Sequence, residues 1–291
     1  MSNSGEVESA PLQLARRAAD LFASLPQVEA VVLAGSRGTG RVSSDNASDI
    51  DVYVCTRDSI PLGVRRSLIE RTGGATQANL DLNYWGPGDE WLHAPTGLEV
   101  DVVYFDTVWM EDQTVRVLEK HQASLGYTTC VWHTIRHSVI LFDPRAWFAR
   151  LQRRCCISYP EALRRNIIAL NHPVLRTIIP SYANQISKAV KRRDLVSINH
   201  RVAALFASYF DVLFAMNRLL HPGEKRQIEF ALHNCRMLPT HMESDMASIL
   251  MPAMAEISTL PDRLKRLLDR LDETLEKEGL QPTESEQKRQ G

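Results

Sequence analysis

The 291-residue sequence has no excess of either charge. Thirty-four Lys and Arg face thirty-five Asp and Glu, a formal net charge of −1. Proteins that hold nucleic acid by bulk electrostatics are normally basic, so such a contact would need a local patch and nucleic acid is not the favoured partner. Cysteine is sparse and unpatterned. Cys55, Cys130, Cys155, Cys156 and Cys235 are odd in number and contain no CxxC pair, and the adjacent Cys155-Cys156 is poor geometry for a disulfide or a shared metal. That excludes a disulfide framework and fits a reducing, cytoplasmic setting. Long apolar runs are also missing. The most apolar stretch, 202–220, is interrupted by Asp211, Asn217 and Arg218, so it reads as a buried bundle helix and no membrane partner is expected. The opening MSNSGEVESAPLQ has neither a basic nor an apolar region, so no signal peptide is read there. There is no internal repeat and no low-complexity block. With 44% apolar and 24% charged residues, a disordered or fibrous chain is excluded, and the length calls for two domains.

What is present divides near residue 106. After a loose tail over 1–10, Leu14, Ala18, Leu21, Phe22 and Leu25 recur at helical spacing up to Pro26. VEAVVLAG then reads as a buried strand, and DIDVYVC as a second strand after a Gly/Ser-rich loop. Residues 62–71 read as a helix stopped by Gly73-Gly74, and residues 77–84 and 98–105 alternate like strands. WGPGDEWLHAPTG between them reads as a long connection. Beyond Asp106 strand signals nearly vanish, and helical segments are punctuated by Pro144, Pro160, Pro173, Pro180, Pro222 and Pro239. The segment 195–220 predicts the central helix of a bundle, and the leucines at 264, 267, 268, 271 and 275 an amphipathic last helix. The expected organisation is a mixed domain of helices and strands over 11–122, an α-helical domain over 123–279 and a polar, fraying tail over 280–291.

The chemistry concentrates in VVLAGSRGTGRVSSDNASDIDVYV, residues 31–54. A strand runs into Gly35-Ser36, with Gly38 and Gly40 close behind. Glycines let a backbone turn tightly, and successive N–H groups with the Ser36 hydroxyl suit phosphate oxygens. Asp49 and Asp51 follow, two apart on a strand and therefore on one face, with Ile50 turned to the core. Side-by-side carboxylates repel unless a cation shares them, and carboxylates plus substrate phosphates are the ligands Mg²⁺ prefers. LEVDVVYFD supplies a further pair, Glu99 and Asp101, of which Asp101 is the first choice for a third acid; Asp81 is a weaker rival. In-line phosphoryl-type transfer uses two metal ions to hold attacking and leaving oxygens and a base to take the incoming proton.

In these residues the sequence resembles the nucleotidyltransferase superfamily that includes DNA polymerase beta: a strand, Gly-Ser, about a dozen residues, Asp-x-Asp, then a later strand with a third acid. The match spans roughly residues 28–105. It is nearest in look to small bacterial members such as the aminoglycoside adenylyltransferases, in which a helical domain follows the catalytic one. The resemblance implies an α+β nucleotidyltransferase-type domain, a short mixed sheet with flanking helices, followed by an all-α bundle. It implies that Gly35 and Ser36 hold nucleotide phosphates, that Asp49 and Asp51 bind two Mg²⁺ ions, and that Asp101 is a third metal ligand, the base, or both. An LEV-type glutamate serves as base in the resistance enzymes, which favours Glu99, so both acids stay open. The implied reaction moves a nucleoside monophosphate from an NTP, with ATP the usual donor of the resembled enzymes, to a hydroxyl of a small molecule. A tRNA or protein acceptor, or a nucleotide-binding module without turnover, are the alternatives.

Several other residues carry weaker signals. Arg37 and Arg41 flank the turn and could neutralise a triphosphate. Lys188 and Arg192 share a helix face and are the better basic pair for reaching the nucleotide, ahead of Lys191, Arg193 and Lys225-Arg226. Cys130, His133 and His137 sit at helical spacing, but without a fourth ligand they read as core or boundary residues. Trp85 and Trp91 read equally as packing or as stacking residues.

Overall fold

The computed structural model describes residues 9–35, 49–84, 86–251, 254–283 and 285–287. The chain divides into two compact units, one of residues 1–114 and 134–157, the other of residues 115–133 and 158–291.

The first unit is built on a six-stranded mixed sheet. Helix α1 (Ala10–Ala23) leads into β1 (Val28–Leu33), and β2 (Ile50–Thr56) is followed by α2 (Leu62–Thr72). Strands β3 (Ala75–Leu82), β4 (Gly88–His93) and β5 (Glu99–Asp106) follow, then α3 (Thr107–Leu118) and α4 (Cys130–His137), whose residues 115–118 and 130–133 count with the second unit, and finally β6 (Val139–Phe142) and α5 (Trp147–Cys155). The spatial order is β3-β4-β5-β2-β1-β6, with β2 and β5 parallel and every other pair antiparallel. Alternation decides the faces. Ile50, Val52 and Val54 of β2 and Val100 and Val102 of β5 are wholly buried and join Leu14, Ala15, Ala19 and Phe22 of α1 in one core. The other face therefore takes Asp51, Tyr53, Asp101 and Val103, all half-buried.

Two strands depart from the sequence expectation. Strand β4 lies inside the stretch read as a connection. Its covered face carries Asp89 and His93 beside Trp91, polar residues that mask a strand signal until their partners are known. Asp89, 1% exposed, accepts from Arg65 Nη1 at 2.7 Å, Tyr104 Oη at 2.7 Å and the Asp81 amide at 2.9 Å. A carboxylate so enclosed is tolerable only with such partners. Strand β6, four residues long, pairs with β1 across Leu33↔Val139 and Val32↔Ile140. It completes the sheet from a region whose sequence reads as helical. Glu29 of β1, 2% exposed, is held nearby by Arg145 at 2.8 and 2.5 Å and by Arg57 at 2.6 Å.

The second unit is helical: α6 (Glu161–Arg176), α7 (Tyr182–Arg192), α8 (Leu195–Met216), α9 (Gln227–Asn234), α10 (Met242–Leu250), a 3₁₀ turn (Met254–Thr259) and α11 (Leu260–Lys277). Helix α8 is the centre of this bundle, buried continuously from Ser208 to Met216 and packed on α6 and α7. Its last carbonyls, Ala215 and Met216, accept from the buried Arg164 guanidinium, which satisfies groups a helix end leaves open. Helix α11 buries Leu264, Leu267, Leu268, Leu271 and Leu275 on one stripe, as its periodicity predicts. Pro173 does not bound a helix; it lies in the last turn of α6. There the missing N–H removes one hydrogen bond and the helix ends three residues on. Beyond α11, Leu280 is buried and Glu286 pairs with Arg165 at 3.5 Å, so the chain is still packed where the sequence reads as fraying. No described helix is long and apolar enough to cross a membrane. The fold is thus an α+β domain followed by a helical one, as the sequence predicts.

Candidate active site

Three backbone constraints assemble the site. The parallel pairing of β2 with β5 sets Asp51 opposite Asp101, and paired residues of adjacent strands project to the same side. The antiparallel pairing of β4 with β5 sets Glu90 opposite Asp101. Asp51, Asp101 and Glu90 therefore form one row across three neighbouring strands, with backbones about 4.8 Å apart. The valines and isoleucine on the covered face lock this register, because a slip of one residue would bury the acids and expose the core.

The third constraint is Gly35. The Ala34 amide donates to the Asp51 carbonyl at 2.9 Å, which brings the end of β1 against the start of β2. Gly35 has a φ of +60°, and a Cβ built on it would lie 1.7 Å from Asp51 Oδ2. Only glycine lets the backbone lie on that carboxylate. Ser36, Arg37, Gly38, Gly40 and Arg41, the remainder of the expected phosphate turn, lie outside the described residues.

Asp49, half-buried, immediately precedes β2, and Glu99, exposed, opens β5. Glu99 shares a hydrogen bond with Glu90. That bond, burial and the charges of Asp49, Glu90 and Asp101 hold its carboxyl above the usual range. The Tyr53 phenol, next along the same face, is pushed up to about 12 by burial and then by Asp51 and Asp101. The four expected acids, Asp49, Asp51, Asp101 and Glu99, thus lie at neighbouring ends of β2 and β5. The structure adds Glu90, which sequence reasoning missed because β4 was not read as a strand; the alternation in GDEWLH was the available signal.

Among the described residues no three His, Cys, Asp or Glu side chains converge as a ready-made metal cluster. Mg²⁺ asks for less, because one or two carboxylates suffice when substrate phosphates and water complete its six oxygens. Carboxylates level on adjacent strands fit that chemistry, and a divalent cation would relieve the like-charge crowding felt at Glu99.

Other candidates fall elsewhere. Asp81 is not in the row; its carboxylate pairs with Arg65 at 2.8 Å and belongs to the Asp89 network. Trp91 is buried at 2% exposure and is a core residue, while Trp85 lies outside the described residues. Lys188 and Arg192 stand exposed on α7 of the helical unit. Cys130 lies 3.3 Å from His221 Nδ1, which also accepts from the Gly223 amide at 3.2 Å. Burial, and then His133, pulls His221 down to about 3, and burial pushes the Cys130 thiol up to about 12, so the pair is a neutral imidazole beside a thiol.

No protein-family profile matches the chain, and no curated protein matches it. Among solved structures it is similar to a nucleotidyltransferase-like protein from Exiguobacterium sibiricum 255-15, at 13% identity and a TM-score of 0.44, over 92% of this chain and 76% of that one. It is also similar to an aminoglycoside 6-adenyltransferase from Bacillus subtilis, at 9% identity and a TM-score of 0.28, over 92% of both chains.

Proposed function

We infer that the protein is a Mg²⁺-dependent nucleotidyltransferase. It moves a nucleoside monophosphate from an NTP, ATP by preference, to a hydroxyl of a small-molecule acceptor and releases pyrophosphate. The observation that carries this reading is the level pairing of Asp51 with Asp101 on parallel strands, with the Gly35 backbone closed on the Asp51 carboxylate. Carboxylates level on adjacent strands suit a triphosphate bound through metal, and the Gly35 backbone beside them supports that reading.

Bound Mg²⁺ would supply neutralisation of the phosphate oxygens and orientation of the leaving group. Asp49 and Asp51 are its assigned ligands. Asp101 completes the set or accepts the proton of the attacking hydroxyl, and Glu99 is the second choice for that base. Gly35, with Ser36 and Arg37, holds the β- and γ-phosphates.

The test is calorimetry of NTP binding with and without Mg²⁺, for the wild type and for Asp49→Ala/Asp51→Ala. The expected result is tight, Mg²⁺-dependent binding of one NTP that the double variant loses. No binding of any NTP to a folded wild type overturns the reading. Single-turnover rates then separate the two candidate bases. Whichever of Asp101→Asn and Glu99→Gln removes the base lowers the rate by about a hundredfold or more without weakening NTP binding.

A further inference from the structure

The helical unit contains a cavity of about 550 Å³ that the proposed transfer reaction does not use. That size is within the range of small-molecule clefts. Phe206 and Phe210, one helical turn apart on α8, form its floor with Met246 of α10, and all three are buried. Its walls rise through Leu232 of α9 and Leu250 of α10, which stay exposed at 42% and 53%. Large apolar side chains left open above an aromatic floor are the surface an apolar ligand body would cover.

The rim has a definite sign. Glu224, Glu229 and Glu243 border the cavity, together with Arg226. Glu229 and Glu243 stand in the first turns of α9 and α10, where each helix end contributes about half a positive charge. Those two ends and Arg226 offset two of the three carboxylates and leave about one net negative charge. A ligand with one positive charge complements that rim; an anion meets carboxylates that already occupy the helix N-termini. One further feature favours an ammonium group. His233, also on the rim, donates Nδ1–H to the Glu229 carbonyl at 2.7 Å, which leaves Nε2 as an acceptor.

We propose that this cavity binds a small organic monocation: an ammonium group carried on an aromatic or branched apolar body. The body lies on Phe206, Phe210 and Met246 between Leu232 and Leu250, and the ammonium is held at the carboxylate rim. The site lies within the helical unit and requires neither nucleotide nor Mg²⁺, so it stands or falls independently of the transferase reading.

A matched probe series tests it on the full-length protein: 2-phenylethylamine, 2-phenylethanol and 3-phenylpropanoate, with one ring and similar length but charges of plus one, zero and minus one at neutral pH. Affinities are read by ligand-observed NMR titration. The amine is expected to bind about tenfold tighter than the alcohol, with the carboxylate weakest. Glu229→Gln/Glu243→Gln should bring the amine close to the alcohol while leaving the alcohol unchanged. Leu232→Arg, at an exposed position, should abolish binding of both. Equal affinity of amine and alcohol overturns the proposal, as does amine affinity that survives the double Gln variant. Absence of any binding to a protein that still unfolds cooperatively overturns it too.

Discussion

At the scale of single residues, Gly35 and Asp51 are the tightest constraint on the proposed site, because one residue's missing side chain is the space the other's carboxylate fills. Gly35→Ala meets two penalties. A non-glycine residue in the left-handed region costs about 1–2 kcal/mol, and the new methyl would fall 1.7 Å from Asp51 Oδ2, far inside van der Waals contact. The expected outcome is a modest loss in urea stability together with at least a tenfold loss in Mg²⁺-dependent NTP affinity, measured on the same preparation. If stability falls and affinity does not, Asp51 is not a ligand. Asp81 supplies the contrast: it is also an aspartate on a strand of the sheet, yet its carboxylate is taken up by Arg65 and its amide by Asp89. The sequence already ranks Asp101 above Asp81, and the structure supplies the physical reason. The separation comes from which strand sits beside β2, and this pairing joins residues fifty apart in the chain.

At the scale of elements, α8 carries a charge through the centre of its bundle. Asp211 is 2% exposed, and burial raises its carboxyl to about 7, against hydrogen bonds from the Thr128 amide and hydroxyl and the charge of Arg116, which pull it down. In the unfolded chain the same group titrates near 3.8. Between about pH 4 and pH 7 the unfolded chain gives up this proton while the folded one keeps it, so this group's contribution to stability falls as pH rises through that window. Above pH 7 both forms are ionised and the penalty is constant. Urea unfolding of Asp211→Asn should therefore gain on the wild type from pH 4.5 to pH 7, by on the order of a few kcal/mol, and run parallel to it beyond. A constant difference across that range would place the folded carboxyl at its ordinary value. The long helix and β1 were legible from their continuous apolar runs, and α1, β2, α2 and α11 from a period that their burial later matches. Strands β4 and β6 were not. One hides buried Asp89 and His93 whose partners come from α2 and β5, and the other is too short for any period to declare itself.

For the whole molecule, the sheet-bearing unit is not one continuous segment. It uses residues up to 114 and then takes β6 and Arg145 from residues 134–157. A fragment ending at residue 122 would leave β1 as an open edge and strip the buried Glu29 of Arg145, its bidentate partner. Such an edge pairs with other chains, and a buried carboxylate short of a cation destabilises the core around it. The fragment is expected to elute as aggregate in size-exclusion chromatography. In the full chain, Arg145→Met alone should lower urea stability by about 1–3 kcal/mol. A monomeric fragment with native-like circular dichroism would show that β6 is dispensable.

The parallel register of β2 and β5 has a genetic consequence. Because the connection between them runs from residue 57 to residue 98 through a helix and a hairpin, the turns of that excursion can lengthen or shorten without moving Asp101 relative to Asp51. An insertion or deletion of one residue between Ile50 and Asp51, or between Glu99 and Asp101, has no such slack: it replaces an acid with a valine or isoleucine on the open face and drives a carboxylate into the core. Length variation among descendants of this chain should therefore gather in the turns after Thr56, Leu82 and His93, and stop short of a few codons on either side of the two aspartates.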